Sequence, residues 1–152
     1  MALPYESATS GERALGEIQK ILRGFGCNKF GSMIDDGAQE ILVQFEYRGR
    51  QCTVKASIRG YASAWLKAHP WNQSRSRMDR TQYERKAMDI ASVAVYSILR
   101  DWIKGQVTAI ETGILTFEGA FLGQIMLPQT GTTVLEHLQA VNMLPALEGP
   151  KA

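Results

Sequence analysis

Two runs of alternating residues, joined through a glycine, constrain this chain more than any other feature. Ile41, Val43, Phe45 and Tyr47 are apolar at every second position, with Gln44, Glu46 and Arg48 between and after them. A strand turns successive side chains to opposite faces, so this run reads as a strand with one buried face. After a turn at Gly49 the alternation resumes. Cys52, Val54, Ala56 and Ile58 fall on one side, and Thr53, Lys55, Ser57 and Arg59 on the other. The pair predicts a β-hairpin with an apolar inner side and a polar, partly basic outer side.

Helical signals surround the hairpin. Thr9-Ser10-Gly11-Glu12 has the T-x-x-E form of a capping box, and Leu15, Ile18, Leu22 and Phe25 follow at helical spacing until Gly24 and Gly26 stop the helix. A short strand is expected near 30–34, turned by Asp35-Asp36-Gly37. Beyond the hairpin, residues 60–68 read as a short helix closed by His69-Pro70, and residues 71–79 as an exposed loop. Thr81-x-x-Glu84 is a second capping box, opening a helix with Tyr83, Ala87, Ile90, Ala94, Ile98 and Trp102 on one stripe. That helix is expected to pass Gly105 and end near Thr112, with Gly113 left-handed. A helical turn over 117–122, an extended stretch over 125–127 and a last helix capped by Thr133 and Glu136 complete the chain; Val134, Leu138 and Val141 lie along that helix. The expected fold is one α+β domain over residues 1–144: an N-terminal helix, a small antiparallel sheet, a long helix and short C-terminal helices. Residues 145–152 read as a flexible tail.

The 152 residues suffice for one sizeable core, and 45% hydrophobic with 21% charged content is ordinary globular composition. No apolar run approaches the roughly 18–20 residues that span a bilayer. Met1 to Glu6 lacks the basic-then-apolar pattern of a signal peptide. Cys27 and Cys52 stand in no metal-ligand or redox spacing and read as small buried residues in a reducing compartment. The expected location is therefore the cytoplasm.

A net charge of +2 conceals a strong polarity. Residues 48–86 hold ten basic side chains against two acids, a net +8; the remainder holds seven against thirteen, a net −6. Tyr47, Tyr61, Trp65, Trp71 and Tyr83 are interleaved with these cations. Arginine and lysine contact phosphates, and aromatic rings stack on bases, so the stretch is a candidate nucleic-acid surface. Its candidate residues are Lys55 and Arg59 on the outer hairpin face, and Lys67, Trp71, Arg75, Arg77, Arg80, Arg85 and Lys86 beyond it. Trp71 is the expected exposed platform. Unpaired N–H groups at the start of the long helix would add to the attraction for an anion. The plainer reading is a solvated surface.

Catalytic and metal motifs are absent. His69 and His137 have no partner at ligand spacing, no glycine-rich loop cradles phosphate, and no nucleophile sits on an elbow. Asp35, Asp36, Glu40 and Glu46 with Lys55 loosely suggest a metal-dependent nuclease, which needs carboxylates converging on Mg²⁺ beside a lysine. Asp35-Asp36-Gly37 is explained more simply as a turn. The expectation is no cofactor, no metal and no catalysis.

Two resemblances add to this reading. The order helix, three strands, helix resembles double-stranded RNA-binding domains over residues 10–100, with Arg85-Lys86-Ala87 similar to the basic helix start whose lysines grip phosphates in that family. The turn 35–39 carries acids where that family places Gly-Pro-x-His. The stretch Trp102–Pro128, continuing through Thr132 to Glu136, and the opening Leu3–Arg13 resemble small uncharacterised tailed-phage and prophage proteins. That resemblance implies a bacterial host cytoplasm. It also implies either accessory work on nucleic acid or interference with host defence, through binding a host protein or sequestering a nucleotide signal as a homo-oligomer.

Overall fold

A computed structural model describes residues 2–75 and 77–149. Strand β1 (Lys29–Asp35), β2 (Glu40–Tyr47) and β3 (Arg50–Ser57) form an antiparallel sheet in the order β1-β2-β3. Tyr47 pairs with Arg50 across a two-residue turn in which Arg48 (φ 48°) and Gly49 (φ 86°) are both left-handed. That is the primed turn whose twist suits a hairpin. Three cross-strand rows line the inner face: Phe30–Phe45–Cys52, Ser32–Val43–Val54 and Ile34–Ile41–Ala56. Ile41, Val43, Phe45, Cys52 and Val54 are buried, as the alternation predicts.

Helix α1 (Gly11–Phe25) precedes the sheet. Its cap is Ser10 rather than Thr9: the Ser10 hydroxyl accepts the Arg13 N–H at 3.1 Å, and Gly26 (φ 111°) ends the helix. The face it buries is Ala14, Ile18 and Leu22, while Leu15 and Phe25 are half-buried.

The hairpin ends earlier than the alternation implies. Ser57 caps helix α2 (Ile58–Ala68), its hydroxyl accepting the Gly60 N–H at 2.9 Å, so Ile58 and Arg59 open a helix instead of extending β3. A side-chain acceptor beside an unsatisfied helix donor decides this boundary, and alternation does not register it.

Helix α3 (Arg80–Glu111) runs for 32 residues, with Gly113 left-handed beyond Thr112. Its capping box is Asp79 with Gln82, not Thr81 with Glu84; the Asp79 carboxylate accepts the Gln82 N–H at 2.8 Å. The buried stripe is Ala87, Ala91, Val95, Leu99, Ile103 and Val107, with Ala94 and Ser97 beside it. Steps of four residues advance the stripe by about 40° each, so it winds around the helix. This explains why Ile98 and Trp102, one position off the winding stripe, are exposed instead of buried. The N-terminal half carries α2, through Trp65 against Tyr83 with ring centroids 5.3 Å apart. The C-terminal half carries α1, where Glu17 reaches Arg100 at 3.6 Å.

Helix α4 (Phe117–Phe121) and a 3₁₀ turn (Leu122–Gln124) follow, then β4 (Met126–Leu127) paired with β5 (Thr132–Thr133), and α5 (Val134–Ala140). Thr133 and Glu136 form the predicted capping box. Phe121 is fully buried, edge-on to Phe45 at 5.4 Å, and Ile125 bridges to Cys52. The C-terminal segment thereby covers part of the β3 edge. Residues 145–149 form no helix or strand, and 150–152 lie outside the described residues. Among the described residues no helix is long and apolar enough to cross a membrane.

Leu22 and Phe45 sit in one contiguous core drawn from α1, the sheet, α2, α3 and α4. Leu22→Ala or Phe45→Ala should cost roughly 2–5 kcal/mol in chemical denaturation, from lost burial plus the cavity left behind. A loss below about 0.5 kcal/mol at both positions would contradict this assignment of the inner faces.

Candidate nucleic-acid interface

The end of α2 and the start of α3 are fastened together at His69. Its carbonyl accepts the Tyr83 hydroxyl at 2.6 Å, and its ring packs on Trp65 at 4.7 Å. Its Nε2 lies 3.0 Å from a carboxylate oxygen of Glu6, which sequence reasoning did not connect to this region across 63 positions. The Glu6 carboxyl is held below its usual range, first by the Leu3 N–H and then by His69.

The connection over residues 70–79 closes on itself. The Trp71 indole N–H donates to the Met78 carbonyl at 3.0 Å, and the Asn72 side chain accepts from the Ser74 N–H and hydroxyl. Trp71 is therefore half-buried rather than a free platform, because its polar end is committed to the loop. Two open clefts adjoin here and share Pro70, Trp71 and Tyr83 as their lining. One, of about 450 Å³, is bounded by Asn72 and Arg75; the other, of about 270 Å³, by Leu66, Arg80 and Glu84.

The ten cations of the basic stretch divide by their partners. Arg50 and Lys55 are neutralised by carboxylates, Glu118 and Glu136, each at 2.6 Å. Arg48 lies over the Tyr47 ring at 5.3 Å, and Tyr47 stacks with Phe25 and Phe117 in the core's edge, away from the clefts. Lys86 lies 5.9 Å over the Trp65 ring. Arg59, Lys67, Arg75, Arg77, Arg80 and Arg85 are exposed and form no ion pair among the described residues. Arg75 and Arg80 border the two clefts beside Trp71, Arg77 stands in the same loop, and Lys67 lies in the last turn of α2. Arg59, eight positions before Lys67 on α2, stands about 12 Å further along that helix. The outer hairpin face contributes only Lys55, and its charge is already met.

Tyr61 is also accounted for, its hydroxyl donating to the Pro4 carbonyl at 2.6 Å. Of the interleaved aromatics, Trp71 and Tyr83 alone line the clefts. The first turn of α3 holds no acid, and Arg80, Arg85 and Lys86 add positive charge near the positive end of its dipole. Asp79 already occupies the Gln82 N–H, so the guanidinium groups, more than bare backbone donors, carry the attraction for an anion.

A further polar hollow, of about 460 Å³, differs in this respect. Its Arg100 is held by Asp101 at 2.9 Å and Glu17 at 3.6 Å, and Asp101 also accepts the Tyr5 hydroxyl at 2.6 Å. The carboxylates of the nuclease reading do not converge. Asp35 faces Glu40 across the strands, Glu46 faces Lys29, and Lys55 is held by Glu136. No group of three or more His, Cys, Asp or Glu is placed to hold a metal ion among the described residues. Cys27 and Cys52 are free thiols, pushed up to about 11 and about 12 by burial.

No family model, curated protein or solved structure matches this chain.

The Lys55–Glu136 pair ties the C-terminal segment to the sheet and makes that tie sensitive to acid. The Glu136 carboxyl is held below its ordinary value of 4.5, first by Lys55 and then by the Thr133 N–H. A carboxyl with a lowered folded value contributes stability that is fully present above its unfolded value and lost as pH falls through the folded one. Glu136→Gln should therefore flatten the loss of stability below pH 4.5 relative to wild type, measured by denaturant unfolding across that range. An acid limb of unchanged slope would mean that the pair adds no stability.

Proposed function

We propose that this chain is a non-enzymatic, phage-type accessory protein that binds nucleic acid through the paired clefts between α2 and α3. The observation that carries the reading is the contrast in pairing. Arg50 and Lys55 have carboxylate partners at 2.6 Å, whereas Lys67, Arg75, Arg77, Arg80 and Arg85 have no ion pair among the described residues. Unpaired cations close to a helix N-terminus repel one another and oppose the helix dipole, so they do not serve the fold. A polyanion neutralises them. Trp71 and Tyr83, set between Arg75 and Arg80, supply ring surface beside the phosphate contacts.

The larger cleft opens broadly to solvent, which favours a strand tracking across the surface over a small nucleotide enclosed in a pocket. The resemblance to tailed-phage proteins fits such work in a bacterial host cytoplasm.

Arg75→Glu combined with Arg80→Glu should weaken binding of an oligonucleotide at least tenfold, while the melting temperature holds or rises slightly, because both side chains are exposed and a carboxylate at position 80 suits the start of α3. Wild-type binding should fall steeply with salt, each phosphate contact adding about 0.7–0.9 to the log–log slope. A shallow salt response with one mononucleotide bound per site would support sequestration of a nucleotide signal instead. Absence of binding to either ligand at low salt would refute the reading and leave capture of a host protein in its place.

A further inference from the structure

We propose that β1 is the seat of a second copy of this chain. Two β1 edges pair antiparallel about a twofold axis at Ser32, joining two three-stranded sheets into one. The inference does not depend on what the clefts bind.

The backbone register identifies which groups on this edge are unused. A two-residue hairpin turn closes on a hydrogen-bonded pair, here Tyr47 and Arg50. At the other end of β2 the Ile58 N–H donates to the Gln39 carbonyl at 2.9 Å, in the same alternation. The odd-numbered residues of β2 therefore turn their backbone groups to β3, and the even-numbered ones to β1. In β1, Lys29, Gly31, Met33 and Asp35 oppose those even-numbered residues and bond to them. Phe30, Ser32 and Ile34 are left with N–H and C=O groups pointing out of the sheet.

Nothing in the strand discourages pairing at that edge. Seven consecutive residue pairs join β1 to β2 without a bulge, β1 contains no proline, and its single lysine stands at its start. Met33 and Ile34 are 55% and 50% exposed, although Ile34 belongs to an inner-face row.

The strand is complementary to its own reverse. With Ser32 opposite Ser32 of the second copy, Phe30 meets Ile34, and both kinds of pair exchange two backbone hydrogen bonds. Lys29 then meets Asp35 of the second copy. Within one chain Asp35 stands opposite Glu40, a like-charge pair, and pairing places a lysine beside it. Gly31 meets Met33 of the second copy. Among the described residues, leaving out Gly31 and its two chain neighbours, no heavy atom lies within 4 Å of where a Cβ on Gly31 would be, and a hollow of about 300 Å³ over Gly31, Gln44 and Thr53 leaves room for the exposed methionine. Sliding the register by two residues sets Ile34 against Asn28 or Phe30 against Asp36, and loses the lysine–aspartate pairs.

The test is the mass of the full chain in sedimentation velocity, up to high micromolar concentration. Wild type should approach twice the 16.9 kDa of one chain. Ser32→Pro removes an outward N–H without removing a bond to β2, and Ile34→Lys places a charge on the same edge. Each should return the chain to 16.9 kDa with an unchanged circular dichroism spectrum. Lys29→Asp should weaken the dimer by roughly tenfold, and adding Asp35→Lys should restore it. A wild-type monomer throughout, or a dimer indifferent to both edge variants, overturns the proposal. Should both variants unfold, Gly31→Cys combined with Met33→Cys decides. These positions are non-hydrogen-bonded partners across the axis, about 4.5 Å apart at Cα with the closer side chains, within disulfide reach, and both native cysteines are buried. A covalent dimer on mild oxidation supports the pairing, and its absence overturns it.

Discussion

The packing of α3 through a winding seam of buried residues is the constraint on which the rest of this structure depends. Ala87 and Ala91, followed by Val95, Leu99, Ile103 and Val107, recur every four residues and are all buried. Because each step turns the seam by about 40°, one helix presents different sides along its length. Alanines near the N-terminal half let α2 approach closely, and the larger residues beyond meet α1, the sheet and α4. The end of α2 is thereby drawn against the start of α3, where Tyr83 hydrogen-bonds the His69 carbonyl. The described residues of the eleven-residue connection between them are left as a surface loop. The two clefts are what remains between that loop and the two helix ends.

The charge distribution has a different logic from the packing. Several cations outside the junction do structural work: Lys55 draws the C-terminal segment to the sheet, Arg50 holds Glu118, and Arg100 organises Glu17 and Asp101. Surface pairs of this kind contribute little each, but they leave no net field. At the junction Lys67, Arg75, Arg77, Arg80 and Arg85 form no ion pair among the described residues, beside the positive end of the longest helix. Such a field attracts polyanions from a distance and weakens as salt rises.

Much of the fold was legible because it rests on local signals. The hairpin alternation, the Gly26 and Gly113 helix ends and the Thr133–Glu136 box all concern residues within a few positions of one another, and the structure has them as read. Boundaries failed where two local signals competed. Ser57 could continue a strand or cap a helix, and Asp79 displaced Thr81 as the cap of α3. The long stripe failed for a global reason. Ile98 and Trp102 continue a good helical pattern, but which side of α3 is covered depends on where α1 and α2 dock. For the candidate site, the basic stretch was visible as composition, yet its division into paired and unpaired cations was not. Glu118 and Glu136 lie 68 and 81 positions from their partners, and Glu6 lies 63 from His69. Trp71 read as a platform from its exposed-loop context; its hydrogen bond to Met78 shows how far the loop folds back on itself.

The most direct measurement of the central claim is a two-dimensional ¹H–¹⁵N spectrum of the labelled chain, titrated with a short single-stranded oligonucleotide at low salt. The three tryptophans give three separate indole signals, of which only that of Trp71 belongs to the cleft lining. Binding at the clefts should progressively shift the Trp71 indole and backbone amides of residues 66–86, with the Trp102 indole and the amides of β1 unmoved. Shifts centred on the outer face of the sheet, or a spectrum unchanged at saturating oligonucleotide, would contradict it.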